Sequence, residues 1–136
     1  MSAAIDTNVL VRIFVQDPSA AAQCSAAKRL VADASASGDP LFISLCVLLE
    51  AEWVLRSRYK VDRASMAEAV IAMLESPGIE FEHPPTVEEA LYLFEQFPSA
   101  EFADCLIVAR ATHLGRERFL TYDVGAAKLP RAELVQ

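Results

Sequence analysis

Short, largely apolar runs recur along the chain, and each is followed by polar residues that commonly begin a helix or a turn. Three of these runs are Ala3-Ala4-Ile5, Leu41-Phe42-Ile43 and Arg118-Phe119-Leu120-Thr121. A fourth, Ile79-Glu80-Phe81-Glu82, alternates apolar and acidic residues, which is typical of a half-exposed edge strand. We predict strands at these four places, with the first strand buried, and one further short strand within 129–135.

Between these runs, apolar residues return at helical spacing, and a residue that can cap a helix precedes each such stretch. The predicted helices run from Asp6-Thr7-Asn8 to Phe14, from Ser19 to about Ser35, from Ser44 to about Tyr59, from Asp62 to about Leu74, from Thr86 to Phe97 and from Ser99 to just before Gly115. Thr86 and Glu89 have the spacing of a capping box at the start of the fifth helix.

The alternation of strands and helices predicts an α/β fold with a central, mostly parallel sheet of four to five strands, flanked by helices on both faces. No repeat, low-complexity stretch or linker interrupts the 136 residues, so we expect a single domain over 1–136. Ligands of such folds bind beyond the carboxyl ends of the strands. Asp6 follows the first strand and Asp123 follows the fourth, which makes both candidate site residues.

Composition restricts the class of protein further. The chain is 54% hydrophobic and 23% charged, with no apolar run long enough to span a membrane and no basic stretch before Asp6 that would suggest a secretory signal. Its three cysteines, Cys24, Cys46 and Cys105, fit neither a disulfide framework nor a zinc motif, so we expect free thiols and a reducing cytoplasm. The two histidines, His83 and His113, are isolated in the sequence, which favours solvated or capping roles.

The net charge is −7, with nineteen acidic residues. This balance argues against a nucleic-acid-binding protein, which is usually basic. The argument weakens if several acids hold a divalent cation, because the ion reverses the sign of the local field. The position of each acid is therefore more informative than the sum.

Glu50 and Glu52 lie on the same predicted helix but have different neighbours. The residues three and four positions from Glu50 are Cys46, Val47, Trp53 and Val54, none of which pairs with a charge, and a buried unpaired carboxylate is costly. Glu52 has Arg56 four residues on and can form an ordinary surface ion pair. We therefore predict a functional Glu50 and a structural Glu52.

Three further acids also have ordinary alternatives. Asp6 can simply cap a helix, Asp104 and Glu101 can belong to a solvated first turn, and Asp123 can be a turn aspartate. Together with Glu50, however, they form a pattern of acids at strand ends and on apolar helix faces. Oxygen ligands of this kind suit Mg²⁺, which can bridge to a phosphate and activate a water.

Four segments of the sequence together resemble the PIN domain, and more narrowly the VapC-type toxins of bacterial type II toxin–antitoxin pairs. They occur in the family's order and extend over nearly the whole chain: Ile5-Asp6-Thr7-Asn8-Val9-Leu10, Leu49-Glu50-Ala51-Glu52-Trp53-Val54-Leu55, Glu101-Phe102-Ala103-Asp104-Cys105-Leu106-Ile107 and Phe119-Leu120-Thr121-Tyr122-Asp123. The resemblance implies a Mg²⁺- or Mn²⁺-dependent endoribonuclease with a parallel sheet, acting on RNA as a cytoplasmic homodimer with a cognate antitoxin.

The resemblance also implies roles for individual residues. The acidic quartet that binds one or two metal ions and carries catalysis falls on Asp6, Glu50, Asp104 and Asp123. Glu101 stands where many members have an aspartate, so it is an additional but weaker ligand candidate. Residues that support the ligands are Thr7, Asn8 and Thr121.

The basic residues Arg56, Arg58, Lys60 and Arg63, which follow Glu50, form a candidate RNA-binding patch, with a solvated helix end as the alternative. Apolar residues of the third and fourth helices, with Trp53 and Met73 as candidates, are numerous enough to favour a homodimer.

Two other functions remain open at this point. A haloacid-dehalogenase-type phosphatase also begins with an aspartate after a strand, but it requires a second acid where this chain has Asn8. A PIN-like module could bind RNA or a partner without cleaving it, although four intact acids argue against this.

Overall fold

A computed structural model describes residues 2–136 and shows an α/β protein whose strands are all parallel to their neighbours. The chain divides into two compact units, one ending at Glu82 and the other spanning His83–Gln136. Within the described residues, no helix is both long and apolar enough to cross a membrane. The predicted α/β fold with parallel strands is confirmed, while the single domain over 1–136 stays a prediction.

The first unit contains a three-stranded sheet and four helices. Its strands are β1 (Ala3–Ala4), β2 (Leu41–Ile43) and β3 (Ile79–Phe81), in the spatial order β1-β2-β3. Its helices are α1 (Thr7–Phe14), α2 (Ala21–Ser37), α3 (Leu45–Ser57) and α4 (Arg63–Glu75), with a 3₁₀ turn at Pro18–Ala20. Each parallel connection passes through helices, as parallel pairing requires.

The second unit contains the helices α5 (Pro84–Gln96) and α6 (Phe102–His113), the strands β4 (Phe119–Thr121) and β5 (Ala132–Leu134), and a 3₁₀ turn at Ala126–Lys128. α5 and α6 pack against each other, with Phe94 and Phe102 in an edge-to-face contact 5.6 Å between ring centres. β4 and β5 pair in parallel, so the predicted C-terminal strand is confirmed.

The five strands are thus distributed over a sheet of three and a sheet of two, instead of the one central sheet expected. The first strand also differs from expectation, because Ala3 and Ala4 are exposed and only Ile5, just after the strand, is buried. Within the three-stranded sheet β1 lies at an edge, paired with β2 alone, and its small side chains provide little apolar surface to bury.

Three of the six predicted helix starts are confirmed by side-chain caps, while α2 begins at Ala21 without one. Asp6 Oδ1 accepts a hydrogen bond from the Thr7 N–H at 2.7 Å. Ser44 Oγ accepts from the Val47 N–H at 3.1 Å, and Asp62 Oδ1 accepts from the Ser65 N–H at 2.8 Å. Each cap satisfies one of the N–H groups that a helix N-terminus leaves without an intrahelical partner.

Two predicted helix starts are wrong. α5 begins at Pro84 after His83, which has a left-handed φ of 50°, so the expected Thr86–Glu89 capping box does not form and Thr86 is buried inside the helix. Proline is well suited to the first helical turn because it lacks only an N–H that would be unpaired there. α6 begins after Glu101, not after Ser99, whose hydroxyl instead donates to the Gly125 carbonyl.

The core of the first unit forms where α1 packs against α2 and α3. Leu10, Leu48 and Leu55 are among its buried side chains. Met73 on α4 is only 4% exposed, so its proposed part in a dimer surface is wrong; Trp53, which is 60% exposed, remains available for one.

α3 is fixed at its N-terminus by two side chains. Besides the Ser44 cap, Glu82 Oε1 accepts from the Leu45 N–H at 2.9 Å, while the Glu82 N–H donates to the Ile43 carbonyl at 2.9 Å. A carboxylate is favourable at this end of a helix because of the helix dipole. The residue that follows β3 therefore sets the position from which α3 starts.

We expect Glu82→Ala to lower the free energy of unfolding by about 0.5–2 kcal/mol, the usual cost of losing a helix cap. Urea denaturation measures the change. Glu80→Ala is the matched control, because Glu80 lies exposed on β3, two residues before Glu82, and its loss should change stability by less than about 0.5 kcal/mol. If the two substitutions lowered the free energy of unfolding equally, the result would contradict the role of Glu82 in fixing the start of α3.

Candidate active site

A cavity of about 230 Å³ opens in the first unit beside the N-terminus of α1. α1 and the residue before it provide one wall, and α3 with the residues after it provides the other. Its lining consists of Asp6, Thr7, Asn8, Val11, Arg12, Glu50, Val54, Arg58 and Tyr59. Two of the four predicted acids therefore face the same space.

Helical periodicity explains which side chains line the cavity. On α3 and its C-terminal cap position, Glu50, Val54 and Arg58 are spaced four residues apart, so they lie on one face of the helix. On α1, Asn8 and Arg12 have the same spacing. Each wall thus changes from acidic or amide groups at one end to a guanidinium at the other.

Asp6 caps a helix, as the ordinary alternative expected, and it also borders the cavity. Its Oδ1 caps α1 through the Thr7 N–H, and its exposed side chain borders the cavity. The bond to Thr7 fixes the orientation of the carboxylate. The position of Thr7 is consistent with the predicted supporting role, since Thr7 is itself 7% exposed and held in the core.

The expected environments of Glu50 and Glu52 are reversed in the structure. Glu50 is exposed at the cavity, whereas Glu52 is 2% exposed and accepts from Arg56, whose Nε lies 3.1 Å from Glu52 Oε2. The predicted Glu52–Arg56 pair is present, but describing it as an ordinary surface pair was wrong. The buried face of α3 consists of Leu48, Ala51, Glu52 and Leu55.

Asp104 and Glu101 lie together at the start of α6 in the second unit. Asp104 is half-buried, and its Oδ2 accepts from the Glu101 N–H at 3.1 Å, as in a capping box. Glu101 is exposed at the position before the first helical residue. Both carboxylates are therefore placed by the helix terminus and favoured by its dipole.

Asp123 follows β4 and is held by two hydrogen bonds. Its Oδ1 accepts from the Ala126 N–H at 2.9 Å, and its own N–H donates to Thr121 Oγ1 at 2.9 Å. Thr121 therefore orients the backbone of Asp123, which is consistent with its predicted supporting role. The turn-aspartate alternative is also correct, since the side chain closes the turn.

The donor set of the first unit fits a hard divalent cation. Asp6 and Glu50 provide carboxylate oxygens and Asn8 an amide oxygen, which are the ligand types that Mg²⁺ prefers. Over residues 2–136, no group of three or more Asp, Glu, His or Cys side chains is arranged to hold a metal ion. The two other acids, Asp104 and Asp123, belong to the second unit, and the four-acid metal site remains a prediction.

The four residues of the predicted basic patch lie in different environments. Arg56 pairs with the buried Glu52, Arg63 is half-buried at the start of α4, and Lys60 is exposed with a left-handed φ of 55°. Only Arg58 of this set borders the cavity that holds Asp6. Its guanidinium lies over the ring of Tyr59, 5.7 Å from the ring centre.

Arg12 and Tyr59 were not singled out from the sequence. Arg12 Nη1 donates to the Tyr59 hydroxyl at 2.9 Å, and that hydroxyl donates to Asp17 Oδ2 at 2.9 Å. Hydrogen bonds from the Ser19 hydroxyl and from Tyr59 lower the pKa of Asp17, so it stays ionised beside Arg12. The four-residue spacing from Asn8 to Arg12 was the available sequence signal.

His83 and His113 are both exposed, as the solvated alternative predicts, but they lie together in the structure, which their positions in the sequence did not indicate. Both rings direct Nδ1 at the buried Thr86 hydroxyl, at 2.7 Å for His83 and 3.0 Å for His113. Their ring centres are 5.4 Å apart in an edge-to-face arrangement. His83 does occupy the cap position of α5, which agrees with the capping role, although its side chain makes no cap hydrogen bond.

We expect Glu52→Gln to lower the free energy of unfolding by about 1–2 kcal/mol, because the Arg56 guanidinium loses its carboxylate partner and keeps only a weaker hydrogen bond to a neutral amide. Glu50→Gln is the control at an exposed position of the same helix and should change stability by less than about 0.5 kcal/mol. Urea denaturation of both variants measures the difference. If Glu50→Gln lowered the free energy of unfolding more than Glu52→Gln does, the result would contradict the observed burial of the two side chains.

A comparison with curated proteins gives no match. A family model described as PIN domain matches residues 3–132, which include all four predicted acids. PIN domains are generally metal-dependent nucleases, which are hydrolases, and they generally use divalent ions. Because the match extends over almost the whole sequence, the chain belongs to the PIN domain family, and its function is of the nuclease type.

Proposed function

We propose that the protein is a Mg²⁺- or Mn²⁺-dependent endoribonuclease that hydrolyses phosphodiester bonds of RNA and acts as the toxin of a toxin–antitoxin pair. The observation that carries the proposal is the meeting of Asp6, Asn8 and Glu50 in one cavity of a PIN domain. A cation held there offsets the negative net charge of −7 at the point where RNA approaches.

In this proposal Asp6, Glu50, Asp104 and Asp123 hold one or two divalent ions, with Glu101 as a further ligand candidate. When bound, the ion supplies an activated water and positive charge against the phosphate. The chain's own contribution is to orient the acids. Asp6 and Asp123 each have one carboxylate oxygen held by a backbone N–H, so the other oxygen has a fixed direction.

A binding module without cleavage is the main alternative, and metal dependence separates it from a nuclease. The haloacid-dehalogenase alternative has little support, because Asn8 lines the cavity where that mechanism requires a second acid. Family membership also favours a nuclease.

The toxin role carries three further proposals: a cognate antitoxin as partner, a homodimer, and a cytoplasmic location. The three free cysteines are consistent with a reducing compartment. Exposed apolar side chains on α3 and α4, Trp53 at 60% and Ile71 at 37%, are consistent with a surface that a second copy covers.

We expect Glu50→Gln to abolish metal-dependent cleavage of RNA, because it removes a carboxylate from the cavity without disturbing the core. Glu52→Gln should retain cleavage at temperatures where it stays folded, since its side chain is directed away from the cavity. Cleavage of a labelled RNA with Mg²⁺, with Mn²⁺ and with chelator measures this. The opposite result would move the active site to the other face of α3.

We also expect Mg²⁺ or Mn²⁺ to stabilise the wild-type protein, by about 2.7 kcal/mol at a hundredfold excess over Kd, and to stabilise Asp6→Asn much less. Asparagine caps a helix as well as aspartate does, so without metal the variant should be at least as stable as the wild type. Four melting curves, of each protein with chelator and with metal, provide the measurement. If the metal raised the melting temperature of both proteins equally, or of neither, Asp6 would be excluded from a metal site.

For assembly, we expect light scattering at tens of micromolar without antitoxin to give the mass of a dimer. Trp53→Glu should shift it towards the monomer, because a charge would be buried on the surface that the second copy covers. Tyr92→Glu is the control, since Tyr92 is similarly exposed at 59% but lies on α5. A monomeric wild-type protein contradicts the proposed homodimer.

A further inference from the structure

Arg12 lies where three cavities of the first unit meet. It borders the cavity of Asp6 and Glu50, a second cavity between α1 and α2 that Gln23 and Leu30 also line, and a third beside Ser19 and Gln23. Asn8 borders both the first and the second cavity. Asn8 and Arg12 therefore form part of the lining of both the candidate active site and the cavity beside α2.

The guanidinium of Arg12 is held in a fixed position beside these cavities. Its Nε donates to Gln23 Oε1 at 2.9 Å, and its Nη1 donates to the Tyr59 hydroxyl at 2.9 Å. Arginine has five N–H donors, so these two bonds use a minority of them. The side chain is 22% exposed, and a ligand in the cavities can reach the remaining donors.

Asp17 holds Arg12 through Tyr59 and also forms an ion pair with it. Asp17 Oδ2 is 2.9 Å from the Tyr59 hydroxyl but 3.6 Å from Arg12 Nη1, so its hydrogen bond goes to the tyrosine. The tyrosine hydroxyl is thus both a donor and an acceptor within the protein, and its role is to hold the guanidinium. A planar, preorganised guanidinium of this kind is well suited to binding phosphate.

We propose that Arg12 binds an RNA phosphate next to the one that is cut, and so directs the strand from the acids towards the cavity between α1 and α2. This inference rests on the proposed nuclease function. Asn8 and Arg12 are four residues apart, ~6 Å along the axis of α1, which is on the scale of one nucleotide step. Arg58, exposed on the opposite wall, adds positive charge at the same end of the cavity.

The test measures binding of a short single-stranded RNA to the Glu50→Gln protein in Mg²⁺, in which cleavage is blocked. We expect Arg12→Gln to weaken RNA binding about tenfold. The slope of the log binding constant against log salt concentration should fall in magnitude by about one, because one phosphate contact is lost. Arg12→Lys should keep the salt dependence and recover much of the affinity. Arg29→Gln is the matched control, since Arg29 is exposed on α2 and lines none of the three cavities, and it should bind like its parent.

Tyr59→Phe tests the positioning without removing the charge. We expect it to weaken RNA binding severalfold while leaving the salt dependence unchanged, because Arg12 loses its hydroxyl partner but stays positive. Circular dichroism verifies that each variant is folded. If Arg12→Gln fails to fold, the test uses Arg12→Lys and Tyr59→Phe instead. If both of these variants bind RNA as tightly as the Glu50→Gln parent does, the proposal is overturned.

In the cleaving protein, Arg12→Gln should raise KM and leave kcat nearly unchanged, because the phosphate it binds is not the one that reacts. An unchanged KM in a variant of an active enzyme overturns the role of Arg12 alone, whereas a wild type that cleaves no RNA overturns the proposed function.

Polyglutamate is the competing probe. If polyglutamate binding depends on Arg12 while RNA binding does not, the site serves an acidic protein partner and the proposal is wrong.

Discussion

The parallel register of β1, β2 and β3 is the constraint on which the first unit depends. The bonds from the Ile5 N–H to the Phe42 carbonyl and from the Glu82 N–H to the Ile43 carbonyl continue this register past the strand ends. All three strands therefore end at the same edge of the sheet, where helix N-termini with unpaired N–H groups begin. Asp6 and Glu82 place carboxylates at these helix ends, where the helix dipoles offset part of the cost of gathering negative charge.

Much of this arrangement could be predicted from local sequence. Short apolar runs identified the strands, and the Asp6, Ser44 and Asp62 caps identified the helix starts, because both signals act within a few residues. The failures occurred where a distant contact outweighed a local preference. Thr86 has capping-box spacing, but its hydroxyl is used by His113, which lies 27 positions further along the chain and is not paired with it by any local pattern.

Glu50 and Glu52 show the same limit within the candidate site. Apolar neighbours three and four residues away indicated a buried Glu50, but those neighbours include Trp53, which is itself exposed. The sequence shows which residues share a helix face, whereas the packing of α1 against α3 determines which face is buried. Glu50 does border the cavity of Asp6, but the argument from burial was wrong and its functional role stays a prediction. Arg12 and Tyr59 were missed because their significance arises from one contact between distant segments.

The Thr86 hydroxyl has one proton to donate to two imidazole nitrogens, and among the described residues no carbonyl accepts from it. When both rings are neutral, one Nδ1 must accept from the hydroxyl while the other must donate to it, so His83 and His113 are opposite tautomers. Their outer Nε2 atoms then differ as well, one carrying a proton and the other a lone pair. Exchange of these roles requires both rings to change together, so the tautomers of the two histidines are coupled.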